Sequence, residues 1–127
     1  MDEDMSTIKM TNQGVPLAPS KAQWNELADL KRVAMADPAP IGPVVDIIIP
    51  VYQGIDETLA CVFAAVGTTM KDACEIVVIN DGSPDPVLME SLEELARQGL
   101  FTLVHNEQNY GFVRTVNRGM ALHADRD

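Results

Sequence analysis

Three short, turn-rich segments each follow an aliphatic run, and their polar residues could contact a small ligand. Asp81 follows the run EIVVIN, whose lack of polar alternation is typical of a strand buried on both faces. Ligands bind outside the carboxyl ends of the strands in open α/β sheets, so this carboxylate could accept a hydrogen bond from a ligand. The competing interpretation is an Asx-type turn, in which Asp81 or Ser83 bonds its own backbone. The three segments are 50–54, 80–86 and 106–111.

The elements around these segments alternate between short aliphatic runs and longer amphipathic runs, which indicates βα units around a parallel sheet. The first strand is expected to stop before Pro50, which cannot donate to a sheet ladder, and Asp56 is expected to cap the next helix. Right-handed crossovers make this order half of a doubly wound sheet. The predicted strands are 44–49, 75–80 and 100–105, and the helices that follow them begin near 56, 87 and 112.

Residues 1–43 are predicted to form an N-terminal extension that carries one short helix. Ser20 could cap this helix, with Trp24, Leu27 and Leu30 along one side, before the segment DPAPIGP ends it. We interpret Trp24 as an anchor that holds the extension onto the following domain.

Composition and charge exclude several classes of protein. The 127 residues are about one domain in length, and 9 Lys and Arg against 19 Asp and Glu give a formal charge of -10, which argues against a nucleic-acid partner. No apolar run reaches the roughly 20 residues of a membrane span, and the acidic N-terminus is unlike a secretory signal, so we expect a cytoplasmic protein. Cys61 and Cys74 lack the spacing of a metal or redox motif and are interpreted as packed hydrophobes.

Three stretches taken together carry a resemblance to a known family. DIIIPVYQG, EIVVINDGSPDP and NYGFVRTVNRGM, in this order and spacing, resemble the N-terminal half of glycosyltransferase family 2, the inverting enzymes of the GT-A fold that use nucleotide-activated sugars. The resemblance covers about residues 44–124 and implies an α/β fold. The implied architecture for 44–127 is a partial doubly wound, Rossmann-like three-layer sandwich with a mainly parallel sheet, truncated before the fourth strand.

The resemblance also implies which residues bind the nucleotide, because these loops form the nucleotide side of the donor site in that family. Tyr52 would stack on the base, and Asp81 would accept a hydrogen bond from it, most simply from the N3–H of uracil in a UDP-linked sugar. The alternatives are that Tyr52 caps the core and that Arg114, like Arg118, lies on a solvated helix face. The implied nucleotide-binding residues are Pro50, Val51, Tyr52, Asp81, Gly82, Arg114 and Asn117.

Other parts of such an enzyme are expected to lie outside this chain. A hexosyltransferase-like reaction with a saccharide, lipid-linked or protein acceptor leaves diphosphate charge that a divalent cation, Mg²⁺ or Mn²⁺, commonly neutralises. Asp125 and Asp127 match the family's Asp-x-Asp motif in letters, but that motif ends a fourth strand, so we expect the metal ligands beyond residue 127. No residue is assigned as the general base, so no catalytic residue is predicted and the chain alone is expected to be inactive. Gln53 and Asn80 replace the family's more usual Asn and Asp.

A hypothesis of a different class is a non-catalytic GT-A-like interaction or scaffold module. The GT-A strand order puts the first strand, 44–49, in the middle of the complete sheet, so its outer edge would be unpaired here. This predicts a homodimer joined along that edge. The alternative is a monomer whose N-terminal helix, through Trp24, folds back over the edge.

Overall fold

The computed structural model describes residues 7–35, 44–70 and 72–123. Its three strands form one parallel sheet in the order β1-β2-β3, which confirms the predicted α/β class. Among the residues described, no helix is both long and apolar enough to cross a membrane. The elements in chain order are α1 (Lys21–Met35), β1 (Val45–Val51), α2 (Ile55–Thr68), β2 (Cys74–Asn80), α3 (Pro86–Arg97), β3 (Thr102–His105) and α4 (Phe112–Leu122).

Helices cover both faces of the sheet, so the described residues form three layers. Alternate strand residues point to opposite faces, and partners across parallel strands share a face. One face, which includes Val51, Ile76 and Val78, packs in a single core with apolar residues of α1, α2 and α3. The other face packs against α4, where Gly119 approaches Ile48 and Ile79.

The helix α1 packs onto α2 through an aromatic contact. The rings of Trp24 and Phe63 meet edge to face at 5.1 Å between centroids, and Trp24 is buried, as its interpretation as an anchor requires. Ser20 and Gln23 exchange hydrogen bonds in a capping box at the start of α1. Leu30 was predicted on the packed side but is exposed, and Ala28 is buried instead because it lies one turn from Trp24.

The position of α1 leaves the outer edge of β1 uncovered by this helix. Lys31 near the end of α1 donates from Nζ to the carbonyl oxygen of Leu100 at 2.8 Å. Leu100 precedes β3, which is the strand farthest from β1. The alternative in which the N-terminal helix folds over the β1 edge is therefore not what the structure shows.

The prediction that β1 stops before Pro50 is wrong, because the strand continues to Val51. Val45 N donates to Ala73 O at one end, and Val51 O accepts from Asp81 N at the other, so odd-numbered residues of β1 direct their backbone groups to β2. Even-numbered residues direct theirs to the open side. Pro50 is even-numbered, so its missing N–H costs no bond to β2.

The prediction that Asp56 caps α2 is also wrong. The N-cap residue is Gly54, whose φ of 89° is in the left-handed region that glycine tolerates. Asp56 lies within the first turn, and its Oδ1 accepts a hydrogen bond from Ala18 N at 2.9 Å. This carboxylate therefore ties the N-terminal extension to α2.

Three loops follow the carboxyl ends of the strands and are used by name below. The first loop is 52–54, the second loop is 81–85 and the third loop is 106–111. Because the strands are parallel, all three loops leave the same end of the sheet. The fold thus brings the three turn-rich segments of the sequence into one region.

We expect Gly119→Leu to destabilise the protein, because a Cβ at this position would lie 2.7 Å from Ile48 Cγ2 and 2.8 Å from Ile79 Cδ1. Overpacking of this kind costs about 1–3 kcal/mol in free energy of unfolding, measured by urea denaturation. Ala121→Leu is the matched control, because Ala121 is an exposed residue of the same helix. Equal stability of the two variants would show that α4 does not pack closely on the sheet.

Candidate functional site

The second and third loops meet at the carboxylate of Asp81, and its backbone is bonded to the end of β1. Asp81 N donates to Val51 O at 2.7 Å, which joins the second loop to the end of β1. The Oδ1 atom accepts from Asn106 Nδ2 at 2.9 Å and from Tyr110 N at 2.7 Å, and Oδ2 accepts from Gly111 N at 3.0 Å. Only 5% of Asp81 is exposed. One buried carboxylate therefore fixes the second loop to the third, and the backbone N–H of the same residue fixes the second loop to the end of β1.

Asn106 extends this network into α4. Its Nδ2 also donates to Thr115 Oγ1 at 2.9 Å, and its Oδ1 accepts from Arg118 Nη1. The same Arg118 nitrogen lies 3.3 Å from the carbonyl oxygen of His105. Sequence reasoning missed Asn106, although a polar residue placed directly after a predicted strand is the signal that drew attention to Asp81.

The Asx-type turn of the second loop is made by Asn80, the residue before Asp81. Asn80 Oδ1 accepts from Ser83 N at 2.9 Å, and Ser83 Oγ accepts from Asp85 N at 3.2 Å. The competing interpretation is therefore wrong for Asp81 and confirmed for Ser83, whose Oγ accepts from the backbone N–H two residues further on. The carboxylate of Asp81 instead reaches residues about 30 positions away in the chain.

The side chain of His105, the last residue of β3, is held by two neighbours. Asn80 Oδ1 accepts from Ser83, so its Nδ2 must face His105 Nδ1, 3.1 Å away. Nδ1 then accepts, and the ring proton sits on Nε2, which lies 3.6 Å from Glu93 Oε1.

Gly82 allows the second and third loops to touch. Its φ is 67°, and a Cβ would lie 2.5 Å from Asn109 N and 2.6 Å from Gln108 C. These neighbours are backbone atoms that cannot rotate away. Gly82 is therefore required by close approach, whether or not it contacts a ligand.

Three consecutive residues at the end of β1 differ in how much of their surface is exposed to solvent. Val51 is 3% exposed, its side chain belongs to the core and its carbonyl is bonded to Asp81. Pro50 is half-buried within the strand. Tyr52 follows directly and is 39% exposed, so its ring is accessible beside the second loop.

The predicted residues of α4 lie on its exposed surface. The guanidinium carbon of Arg114 lies 4.6 Å from the centroid of the Tyr110 ring, a cation–π contact that positions it in the first turn. Asn117 is exposed one turn further on. Arg118, by contrast, is bonded to the end of β3 and acts in the fold.

A cavity of about 320 Å³ opens at the carboxyl end of the sheet, between α3 and the second and third loops. Of the predicted nucleotide-binding residues, Gly82 alone lines it. Its lining residues are Asn80, Gly82, Ser83, Met89, Glu93, His105, Asn106, Glu107 and Gln108.

One group of side chains among the described residues could hold a metal ion, and it lies at the opposite end of the sheet. Ligand atoms of Asp46, Glu75 and His123 lie within 4.8 Å of one another, and His123 Nδ1 is 2.8 Å from Asp46 Oδ2. Asp46 and Glu75 are second residues of their strands. At about 3.3 Å per residue, Glu75 is roughly 20 Å from Asp81, so a cation there would not reach a ligand at the carboxyl end.

The described residues at the carboxyl end do not fit a divalent cation. The Asp81 carboxylate already accepts hydrogen bonds from three N–H donors. The group of three side chains that could hold a metal ion, among the described ranges, lies at the amino end of the strands. Asp125 and Asp127, the literal Asp-x-Asp match, lie outside the described residues.

The environment of Asp81 changes its ionisation. Burial raises the pKa of this carboxyl, but hydrogen bonds outweigh burial and hold the pKa below its usual range. Because the folded-state pKa is the lower one, ionised Asp81 stabilises the fold above the ordinary pKa of about 3.9, and this contribution is lost as the pH falls through the folded-state pKa. The hydrogen-bond donors are Asn106, Tyr110, Thr115 and Gly111.

We expect Asp81→Asn to lower the free energy of unfolding at pH 7 by about 1–3 kcal/mol, because an amide nitrogen would face backbone N–H donors. The difference from wild type should shrink as the pH falls below about 4, where wild-type Asp81 also loses its charge. Urea denaturation at several pH values measures both effects. Asp85→Asn is the control, since Asp85 caps α3 by accepting from Val87 N and Leu88 N, and Asn caps equally well. Similar losses in both variants would contradict the special role of Asp81.

Several known proteins are similar to this chain in sequence or in fold. A Haemophilus influenzae protein described as an uncharacterized glycosyltransferase is 33% identical over 82 residues, which are 61% of this chain and 24% of the relative. Among solved structures, GalNAc-T7 with UDP, GalNAc and Mn²⁺ is similar to this chain with a TM-score of 0.51 and 16% sequence identity. The superposition covers 95% of this chain and 28% of the GalNAc-T7 chain. A mannosyltransferase from Pyrobaculum calidifontis, in complex with GDP-Man and Mn²⁺, has a TM-score of 0.42 and 18% identity, over 80% of this chain and 33% of the mannosyltransferase chain.

The chain spans about a quarter of the curated relative and a third or less of each solved structure. At these identities, the likeness to GalNAc-T7 concerns the fold alone. The sequence profile of glycosyl transferase family 2 matches residues 46–125, which include all three loops and α4. This match covers more than half of the 127 residues, so the chain belongs to glycosyl transferase family 2.

Proposed function

We propose that this domain binds the nucleoside diphosphate of a sugar donor, most simply a UDP-linked sugar, in an enzyme that passes the sugar to an acceptor hydroxyl with inversion. The observation that carries the proposal is the meeting of the second and third loops at Asp81, at the end of the sheet from which the first loop, with exposed Tyr52, also leaves. Membership of the family supports the sugar-transfer role. UDP, which is named with the similarly folded GalNAc-T7, is consistent with this class of donor.

Asp81 would offer an acceptor to a nucleobase when the Thr115 hydroxyl gives up its hydrogen bond to this carboxylate. Oδ2 accepts from Gly111 N, and the Thr115 hydroxyl is a fourth donor to the carboxyl group. The lone pair that Thr115 releases could accept the N3–H of uracil. A base without that donor would leave a buried acceptor unpaired, which is a strong basis for discrimination.

The start of α4 suits the diphosphate. Gly111 is the N-cap residue and has no side chain to cap the helix, and the positive end of the helix dipole faces the carboxyl end of the sheet. Arg114 lies in the first turn, held over Tyr110, and guanidinium groups suit phosphate oxygens. Exposed Asn117 could extend the same contact surface.

Sugar transfer needs groups that the described residues do not supply at this end of the sheet. We propose that the Mg²⁺ or Mn²⁺ ion and the general base are held by segments outside these residues, and that the chain alone transfers no sugar. The acceptor, whether saccharide, lipid-linked or protein, and the cytoplasmic location stay predictions.

Tyr52→Ala should weaken UDP binding about fivefold, because stacking on an aromatic ring contributes about 1 kcal/mol. Isothermal titration calorimetry with UDP, UMP and GDP measures the affinity and the base preference. Tyr52→Phe is the matched control, since it keeps the ring and should bind like wild type. Equal affinities for all three proteins would exclude stacking by Tyr52. If wild type binds no nucleotide, the non-catalytic interaction module becomes the better hypothesis.

Arg114→Ala should weaken UDP binding several-fold and leave uridine binding unchanged, because its guanidinium would pair with the phosphates. Added salt should reduce the difference between wild type and variant. Arg97→Ala is the control, since Arg97 is an exposed residue at the end of α3 that pairs with Glu94. An equal effect on uridine and UDP would argue against the phosphate contact.

A further inference from the structure

The side chain of Asn80, the last residue of β2, connects the end of β3 to the second loop. Its Oδ1 accepts from Ser83 N at 2.9 Å, and its Nδ2 lies 3.1 Å from Nδ1 of His105. Only 2% of Asn80 is exposed, so solvent has little access to either bond. An amide has one acceptor atom and one donor atom, and these two bonds therefore fix its orientation together.

This orientation of Asn80 suits one protonation state of His105. Nδ1 can accept from Asn80 Nδ2 while the imidazole is neutral and its proton is on Nε2. In the charged imidazolium both ring nitrogens donate, and two donors would then face each other across 3.1 Å. Histidine is the side chain whose charge ordinarily changes between about pH 5 and 8. A fall in pH therefore opposes the present orientation of Asn80.

Charged groups around His105 decide whether the ring stays in place once it is protonated. Among the described residues, Glu93 of α3 has Oε1 3.6 Å from Nε2, and Glu107 of the third loop lines the same cavity as the ring. Arg118 of α4 binds the backbone oxygen of His105 and the third loop. Asp81 of the second loop is bonded to the third loop. The attraction to Glu93 increases on protonation and keeps the ring beside α3.

We propose that Asn80 and His105 form a pH-sensitive switch for the second loop. When His105 is protonated, the Asn80 amide turns over, so that Oδ1 accepts from Nδ1–H of the ring. Its Nδ2 then faces Ser83 N, where two donors meet, and the turn from Asn80 to Ser83 opens. This inference goes beyond nucleotide binding and does not depend on it.

The turn that opens supports the rest of the second loop. Ser83 Oγ accepts from Asp85 N at 3.2 Å, and Asp85 is the N-cap residue of α3. Asn80 and Ser83 also line the cavity of about 320 Å³ between α3 and the two loops. Loss of the bond at Ser83 N would therefore change the wall of this cavity, in the loop that also carries Asp81.

NMR spectroscopy of the 127-residue chain between about pH 8 and pH 5 tests the switch without any nucleotide. Nitrogen-15 shifts of the His105 ring report its protonation, and amide hydrogen exchange reports the protection of Ser83 N–H. At the higher pH the ring proton should be on Nε2 and Ser83 N–H should be protected. Relative to free-peptide exchange at each pH, this protection should fall about tenfold as His105 becomes charged, because a buried hydrogen bond is lost.

Two variants should remove the response of Ser83 for different reasons. In Asn80→Asp the carboxylate can accept from Ser83 N and from Nδ1–H of the ring at once, so His105 should titrate while Ser83 stays protected. In His105→Gln no charge changes at this position, and Ser83 should stay protected as well. The side chain of His105 is 41% exposed, so this second change leaves the core intact.

His123→Gln is the matched control, because His123 is the second of the two histidines and lies with Asp46 at the opposite end of the sheet. It should keep the response of wild type. Constant protection of Ser83 while His105 titrates would show that the ring turns away instead, and would overturn the proposal. So would a ring proton on Nδ1 at the higher pH, or a response that persists in His105→Gln or in Asn80→Asp.

Discussion

The carboxylate of Asp81 is the interaction on which the carboxyl end of this sheet depends. Burying a charge is costly unless donors replace the lost water, and here two backbone N–H groups and the Asn106 amide do so. The three N–H groups belong to the third loop, while Asp81 itself is bonded to β1 through Val51. The loops therefore cannot move independently without exposing an unpaired charge or unpaired donors.

This arrangement is compatible with the second role proposed for Asp81. Its hydrogen bonds from three N–H groups hold the second loop to the third, and in the proposed complex a donor of the ligand would replace the Thr115 hydroxyl at the carboxylate. A residue that both builds a site and faces its ligand is preorganised, because its side chain is already fixed before binding. Tyr52 and Arg114 differ from it, since they are exposed and depend on neighbours, respectively the end of β1 and the ring of Tyr110.

Two glycines set how closely the layers approach. Gly82 lets the third loop lie against the second, and Gly119 lets α4 lie against β1 and β2. The first contact brings the loops around Asp81, and the second places α4 with its N-terminus at the same end of the sheet.

The sequence by itself determined the order of elements, the parallel sheet and the family, because aliphatic runs and turn residues are local signals that do not depend on distant partners. It also singled out Asp81 and Tyr52 from their positions after strands. Only the tertiary structure decided what these residues contact: Asn106 was missed, Asn80 rather than Asp81 makes the turn, and β1 extends through Pro50. Those outcomes depend on hydrogen bonds between loops about 25–30 residues apart, or on which side of a strand is open, and no local pattern encodes either.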